Sequence, residues 1–122
     1  MVDSSKDCGG RYSYGLAATL SIISGKWKPL ILYLLLDGPM RYGELKRNVH
    51  GVSAKVLIKQ LKELEADHVL VRTDYKEVPP RVDYALTPLG RSLADKIVPL
   101  CTWGTENMAE MVSVLAKRDS LP

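Results

Sequence analysis

Three groups of residues in this sequence have the types and spacing to do chemistry. The first is Ser53-Ala54-Lys55 followed by Lys59-Gln60. Lysine donates to guanine O6 and N7, glutamine pairs bidentately with adenine, and an alanine methyl can meet a thymine methyl, so this set is suited to reading base edges. The second is a scatter of cations, Lys28, Arg41, Lys76 and Arg81, with Lys26 and Lys62 beside them. These suit phosphate contacts, where only charge is needed. The third is a pair of thiols, Cys8 and Cys101. Lys6 and Arg11 favour the Cys8 thiolate, Asp7 opposes it, and Gly9-Gly10 leave it open to solvent, where an oxidant or electrophile can reach it. Cys101, between Leu100 and Trp103, is the weaker sensor candidate, since a helical cysteine is more often a small packing residue.

Other chemistries find no footing. There is no phosphate-cradling glycine loop, no nucleophile elbow, no HExxH and no convincing pair of carboxylates, so an enzyme is not expected. His50 and His68 lack partners at ligand spacing, and two cysteines cannot form a CxxC site or a disulfide framework, so neither a metal nor a cofactor is expected. The longest apolar run, Leu30 to Leu36, is far short of the roughly 20 residues of a membrane span. The first ten residues hold no apolar signal segment, and a reducing cytoplasm fits best. With 122 residues, 46% of them hydrophobic, the chain can build one core and one domain.

Those residues must be held by elements that the periodicity reveals. Leu16, Leu20 and Ile23 predict a helix over Tyr14 to Ser24, with Gly25 as terminator. Pro29 opens a second helix that Asp37-Gly38-Pro39 stops. After the short segment Met40-Arg41, a third helix runs from Tyr42 to Val49. His50-Gly51-Val52 turns the chain, and Ser53 caps a fourth helix to about Asp67, with Leu57, Leu61 and Leu64 on one face. The period then drops from 3.6 to 2. Val69 to Lys76 and Arg81 to Thr87 alternate across a stiff tip of Glu77 to Pro80, a two-stranded hairpin. Two helices around a glycine turn followed by a hairpin predict an α+β, mainly helical winged helix-turn-helix.

Thr87-Pro88 restarts a helix through Leu93, Ile97 and Leu100, which either tolerates Pro99 or kinks there, and continues through Trp103, Met108, Met111 and Leu115. This apolar stripe exceeds what a small core can cover, and a twin helix from a second chain is the simplest cover. The expected organisation is an N-terminal arm over 1–13, a winged core over 14–87 and a dimerisation helix over 88–118.

Charge placement singles out the fourth helix. The chain carries 17 Lys and Arg against 14 Asp and Glu, a net charge of only +3. Yet Lys55 sits where the helix dipole is already positive, while Glu63, Glu65 and Asp67 gather at the negative end. Each such placement forgoes a few tenths of a kcal/mol. A polyanion at the helix start would reward it, and helix-turn-helix proteins present that half of the helix to the major groove.

The stretches SGKWKPLILYLLLDGPMRYGELKR, GVSAKVLIKQLKELEADHVLVRTDY and EVPPRVDYALTPLGRSL closely resemble HxlR-type winged-helix transcriptional regulators, in unbroken order from about Tyr14 to Gly104. The resemblance implies a bacterial or archaeal homodimer that binds a palindromic operator in double-stranded DNA. It also implies a dimer interface made by the first and last helices, here Leu16 and Leu20 with Leu93, Leu100, Trp103, Met108, Met111 and Leu115. Cys8 lies about where many such regulators carry a sensing cysteine. Two departures stand out: Gly9 replaces the proline that often follows that cysteine, and His68 replaces the glycine that usually ends the fourth helix. Two other readings stay open, a winged-helix module that pairs with proteins and a DNA-binding regulator switched by a small-molecule ligand.

Overall fold

A computed structural model describes residues 14–119, which form a mainly helical fold around a small sheet. Helix α1 (Tyr14–Ile23) ends before Gly25, whose φ of 152° few side chains tolerate. Helix α2 (Lys28–Leu34) starts with Pro29 in its first turn and tightens into one 3₁₀ turn, Leu35–Asp37, that Gly38 terminates. Strand β1 (Met40–Arg41) leads into α3 (Tyr42–Asn48), and α4 (Ala54–Ala66) follows after the turn. Strands β2 (Leu70–Asp74) and β3 (Val82–Leu86) form the hairpin, and α5 (Pro88–Glu106) and α6 (Met108–Asp119) complete the chain.

The caps behave as their residue types require. The Ser53 Oγ accepts the Val56 N–H at 3.2 Å, and the Thr87 Oγ1 accepts the Gly90 N–H at 3.0 Å while donating to the His68 carbonyl at 2.7 Å. At the far end of α4, His68 takes φ 61°. Its N–H and that of Val69 return to the Glu65 and Leu64 carbonyls at 3.0 and 3.2 Å, a Schellman closure made without glycine.

The core lies between α2, α3, α4 and the start of α5. Ile31, Leu32, Leu35, Leu45, Val49, Leu57, Leu61, Leu64, Val69 and Ala94 are all essentially sealed from solvent. Gly90 sits where α5 crosses the start of β2. A Cβ there would lie 1.9 Å from the Val69 carbonyl oxygen, so only glycine fits.

Three features go beyond the expectation or depart from it. The two-stranded wing forms from β2 and β3, and the short segment Met40-Arg41 adds a third strand by pairing with Tyr84 and Asp83, giving the order β1-β3-β2. A two-residue strand leaves no alternation to read, so only its partner reveals it. Pro99 is accommodated inside α5, but the single last helix expected over 88–118 divides in two at Asn107. The Asn107 side chain donates to the Trp103 carbonyl at 2.8 Å and its N–H reaches the same oxygen at 3.1 Å, so the amide competes with the ladder there. Finally, the alternation of β2 does not translate into burial. Only Leu70 is buried, because from Val71 to Asp74 both faces of this edge strand meet solvent.

Candidate nucleic-acid interface

Helix α4 is seated by its inner face and open along its outer one. Leu57, Leu61 and Leu64 anchor it in the core, while Ser53, Ala54, Lys55 and Lys59 are exposed. Lys55, Lys59 and Lys62 recur at i, i+4 and i+7, one stripe of the helix. None of the three forms an ion pair among the described residues. The first turn carries no acidic residue, so lysine charge and helix dipole add rather than cancel at that end.

Two expected site residues face elsewhere. Lys28 is not available to a phosphate: it is 3% exposed and its Nζ lies 3.6 Å from the Glu63 carboxylate of α4. Gln60 is not free for a base, since its Oε1 accepts the Trp27 N–H at 3.2 Å and its amide packs beside Gly25. Both residues tie the turn between α1 and α2 to the flank of α4. A lysine in an apolar run and a glutamine among lysines carry no local mark of such a role, because the partner lies more than 30 residues away. Lys26, on the same turn, stands 4.8 Å over the Trp27 ring.

The wing contributes the remaining cations. Arg81 makes two contacts to Asp83, at 3.4 and 3.2 Å, and stacks over the Tyr75 ring at 4.4 Å. Arg41 reaches the same carboxylate at 4.0 Å with 58% of its side chain exposed. The Arg81 hydrogen bond holds the Asp83 carboxyl below the usual carboxylate range, against a smaller opposing effect of desolvation, and Asp83 in return raises Arg81. Arg41 and Arg81 are thus oriented by one shared acid rather than free. Lys76 is exposed at the tip, its backbone in the left-handed region at φ 53° with its N–H on the Asp74 carboxylate at 2.9 Å. Arg47, which residue spacing did not single out, joins Arg41 and Arg81 around a cleft of about 410 Å³ between α3 and the wing. The available signal was its place in the last turn of the helix before the glycine turn.

On the side of the apolar stripe, Leu16 and Leu20 of α1 and Leu100, Trp103, Met108 and Leu115 of α5 and α6 are each about half exposed or more. Met111 is partly covered. Leu93 differs from the group, because it packs against the protomer's own core next to Ile22 of α1. Cys101 is exposed on α5, whereas Cys8 lies outside the described residues. Among the described residues, no cluster of His, Cys, Asp or Glu could hold a metal ion, and no single helix is long and apolar enough to cross a membrane.

Comparison with known proteins gives a consistent result. The family model described as HxlR-like helix-turn-helix matches residues 22–112. The uncharacterized HTH-type transcriptional regulator YkvN of Bacillus subtilis is 46% identical over 94 residues, covering 77% of this chain and 80% of that protein. The solved structure of the redox regulator HypR in its reduced form superposes with a TM-score of 0.75 at 38% identity, over 80% of this chain and 97% of that one. The reduced form of the transcriptional regulator YodB from B. subtilis superposes with a TM-score of 0.65 at 31% identity, over 75% and 89%.

Proposed function

The chain belongs to the HxlR-like helix-turn-helix family of transcriptional regulators, which are not enzymes, and from that premise we propose that it binds a palindromic operator in double-stranded DNA as a homodimer in the cytoplasm. Each protomer presents Ser53 to Lys59 of α4 to a major groove, and the wing from Lys76 to Arg81 lies on the backbone or minor groove. Arg41 and Arg81 meet phosphates, with Arg47 added to them. The observation that carries this reading is that Lys55 and Lys59 stand unpaired, among the described residues, in the dipole-positive half of a helix that is otherwise locked into the core. A structural helix gains nothing from that placement.

The homodimer is supported by the apolar residues of α1, α5 and α6, of which Leu20, Leu100, Trp103 and Met108 are each exposed. Two-fold symmetry sets two α4 helices a whole number of DNA turns apart, about 10–10.5 base pairs per turn. Selection of bound fragments from a genomic library tests both points: recovered sites should share an inverted repeat with that spacing. Recovery of unrelated sequences would overturn the reading.

Switching by a thiol completes it, with Cys8 as the sensor and Cys101 as the second candidate. It is supported by the likeness to proteins described as the redox regulator HypR and diamide-treated YodB. A disulfide between protomers would change the angle between the two α4 helices. Cys8→Ser should abolish release of DNA by diamide or peroxide. A response kept by Cys8→Ser and lost in Cys101→Ser would assign the switch to Cys101.

A further inference from the structure

The open side of the sheet and the outer flank of α4 enclose a groove of about 450 Å³ that DNA reading does not account for. Its volume lies within the range of small-molecule sites. Ile58, Lys62 and Glu65 face it from α4 at i, i+4 and i+7. Arg72 of β2 and Tyr84 of β3 are cross-strand partners, so their side chains stand on one face of the sheet, and Val82 stands two residues from Tyr84 on that same face. The walls are thus aliphatic and aromatic, and the rim carries two cations against one acid.

Two observations point to a ligand rather than to a simple crease. Tyr84 is only 8% exposed, and its hydroxyl, which has no hydrogen-bond partner among the described residues, keeps its access to solvent while its side chain lines the groove. The side chains of Lys62 and Arg72 likewise form no ion pair among the described residues, although Glu65 lines the same groove. The groove therefore holds unspent donors around an apolar floor. We propose that it binds a small organic anion with a flat apolar body, an aromatic monocarboxylate, whose carboxylate meets Arg72 and Lys62 and whose ring lies between Ile58 and Val82. Arginine suits the planar carboxylate, to which it can donate in pairs.

Such a ligand touches the recognition helix and the wing at once, so binding it fixes one relative to the other. That consequence rests on the DNA-binding reading; the site itself does not. The experiment is titration of the full chain, free of DNA, with sodium benzoate, read by amide-resolved NMR, with benzyl alcohol as the neutral control. Saturable shifts are expected at Ile58, Lys62, Arg72 and their neighbours, with benzyl alcohol at least about tenfold weaker because a charge-assisted contact is missing. Arg72→Gln should weaken benzoate about tenfold, and Tyr84→Phe, which keeps the ring, about threefold. Shifts that are absent or lie elsewhere, equal binding of the alcohol, or unchanged binding by Arg72→Gln would each overturn the proposal. If Lys62→Gln and Arg72→Gln weaken DNA binding and leave benzoate binding unchanged, the two cations serve phosphates and the proposal fails. Loss of the DNA reading alone would leave the benzoate result standing.

Discussion

Replacing Gly90 by alanine adds one methyl group at the point where α5 crosses the strand that follows α4. An ideal Cβ would lie 1.9 Å from the Val69 carbonyl oxygen and 2.8 Å from its carbon. Ordinary C···O contact is about 3.3 Å, so the two backbones must part by roughly 1.4 Å. Neither can yield alone: Val69 is fully buried, and its carbonyl accepts the Thr87 N–H at 3.1 Å at the junction that caps α5. Overpacking of this kind costs about 1–3 kcal/mol, and the strained hydrogen bond about 1 kcal/mol more. Better helix propensity returns about 0.5–1 kcal/mol. The net expectation is a loss of about 1–3.5 kcal/mol, or roughly 5–10 °C in Tm for a domain of this size. Urea unfolding followed by circular dichroism at one fixed protein concentration measures it, because an oligomer's stability depends on concentration. Gly43→Ala is the control, since its new Cβ meets only the movable Arg47 Nη1 at 3.5 Å. A Gly90→Ala protein within about 0.5 kcal/mol of the parent would refute the packing argument.

Other outcomes follow from single contacts. His68→Gly should stabilise the protein by about 0.5–1 kcal/mol in the same assay, because glycine accepts φ 61° without the penalty a Cβ incurs. Glu63→Gln should cost about 1–2 kcal/mol, less than for a fully buried pair because the Glu63 side chain is 47% exposed. Lys28→Met, which removes the buried charge itself, should cost less than Glu63→Gln. Asp83 has a carboxyl depressed by Arg81, so it supports the fold above the ordinary carboxylate range, and that support fades as pH falls through its lowered value. In a pH series of thermal melts, Asp83→Asn should therefore flatten the acid limb and leave neutral pH the more affected side.

How far residue spacing reached is visible in particular positions. Ser53 and Thr87 were legible because a cap is a local event, and the hairpin because alternation over Arg81 to Thr87 is a local pattern. The left-handed end of α4 at His68 was legible only through the resemblance, which places a glycine there. What stayed hidden depends on distant partners. Lys28 and Gln60 look like surface cations and base readers until α4 is packed against the turn before α2. Gly90 is silent as a sequence feature, since its φ is ordinary and only Val69, 21 residues earlier, demands it. Met40-Arg41 becomes a strand only through Tyr84 and Asp83. The exposure of Lys55 and Lys59, in contrast, needed only the period and polarity of one helix.

The central claim is that Lys55 and Lys59 of α4 read DNA. Fluorescence anisotropy with the selected operator and a scrambled duplex, over roughly 50 to 200 mM salt, tests it on the parent and on Lys55→Ala/Lys59→Ala. The parent should bind the operator tightly, with affinity falling linearly on a log–log plot as salt rises, by roughly one log unit per phosphate contacted. The double variant should lose about 10- to 1,000-fold on the operator and much less on the scrambled duplex, so that discrimination collapses. Unchanged operator affinity in the double variant, or a parent protein whose DNA binding ignores salt, would contradict the account and favour a winged helix that works by pairing with other proteins.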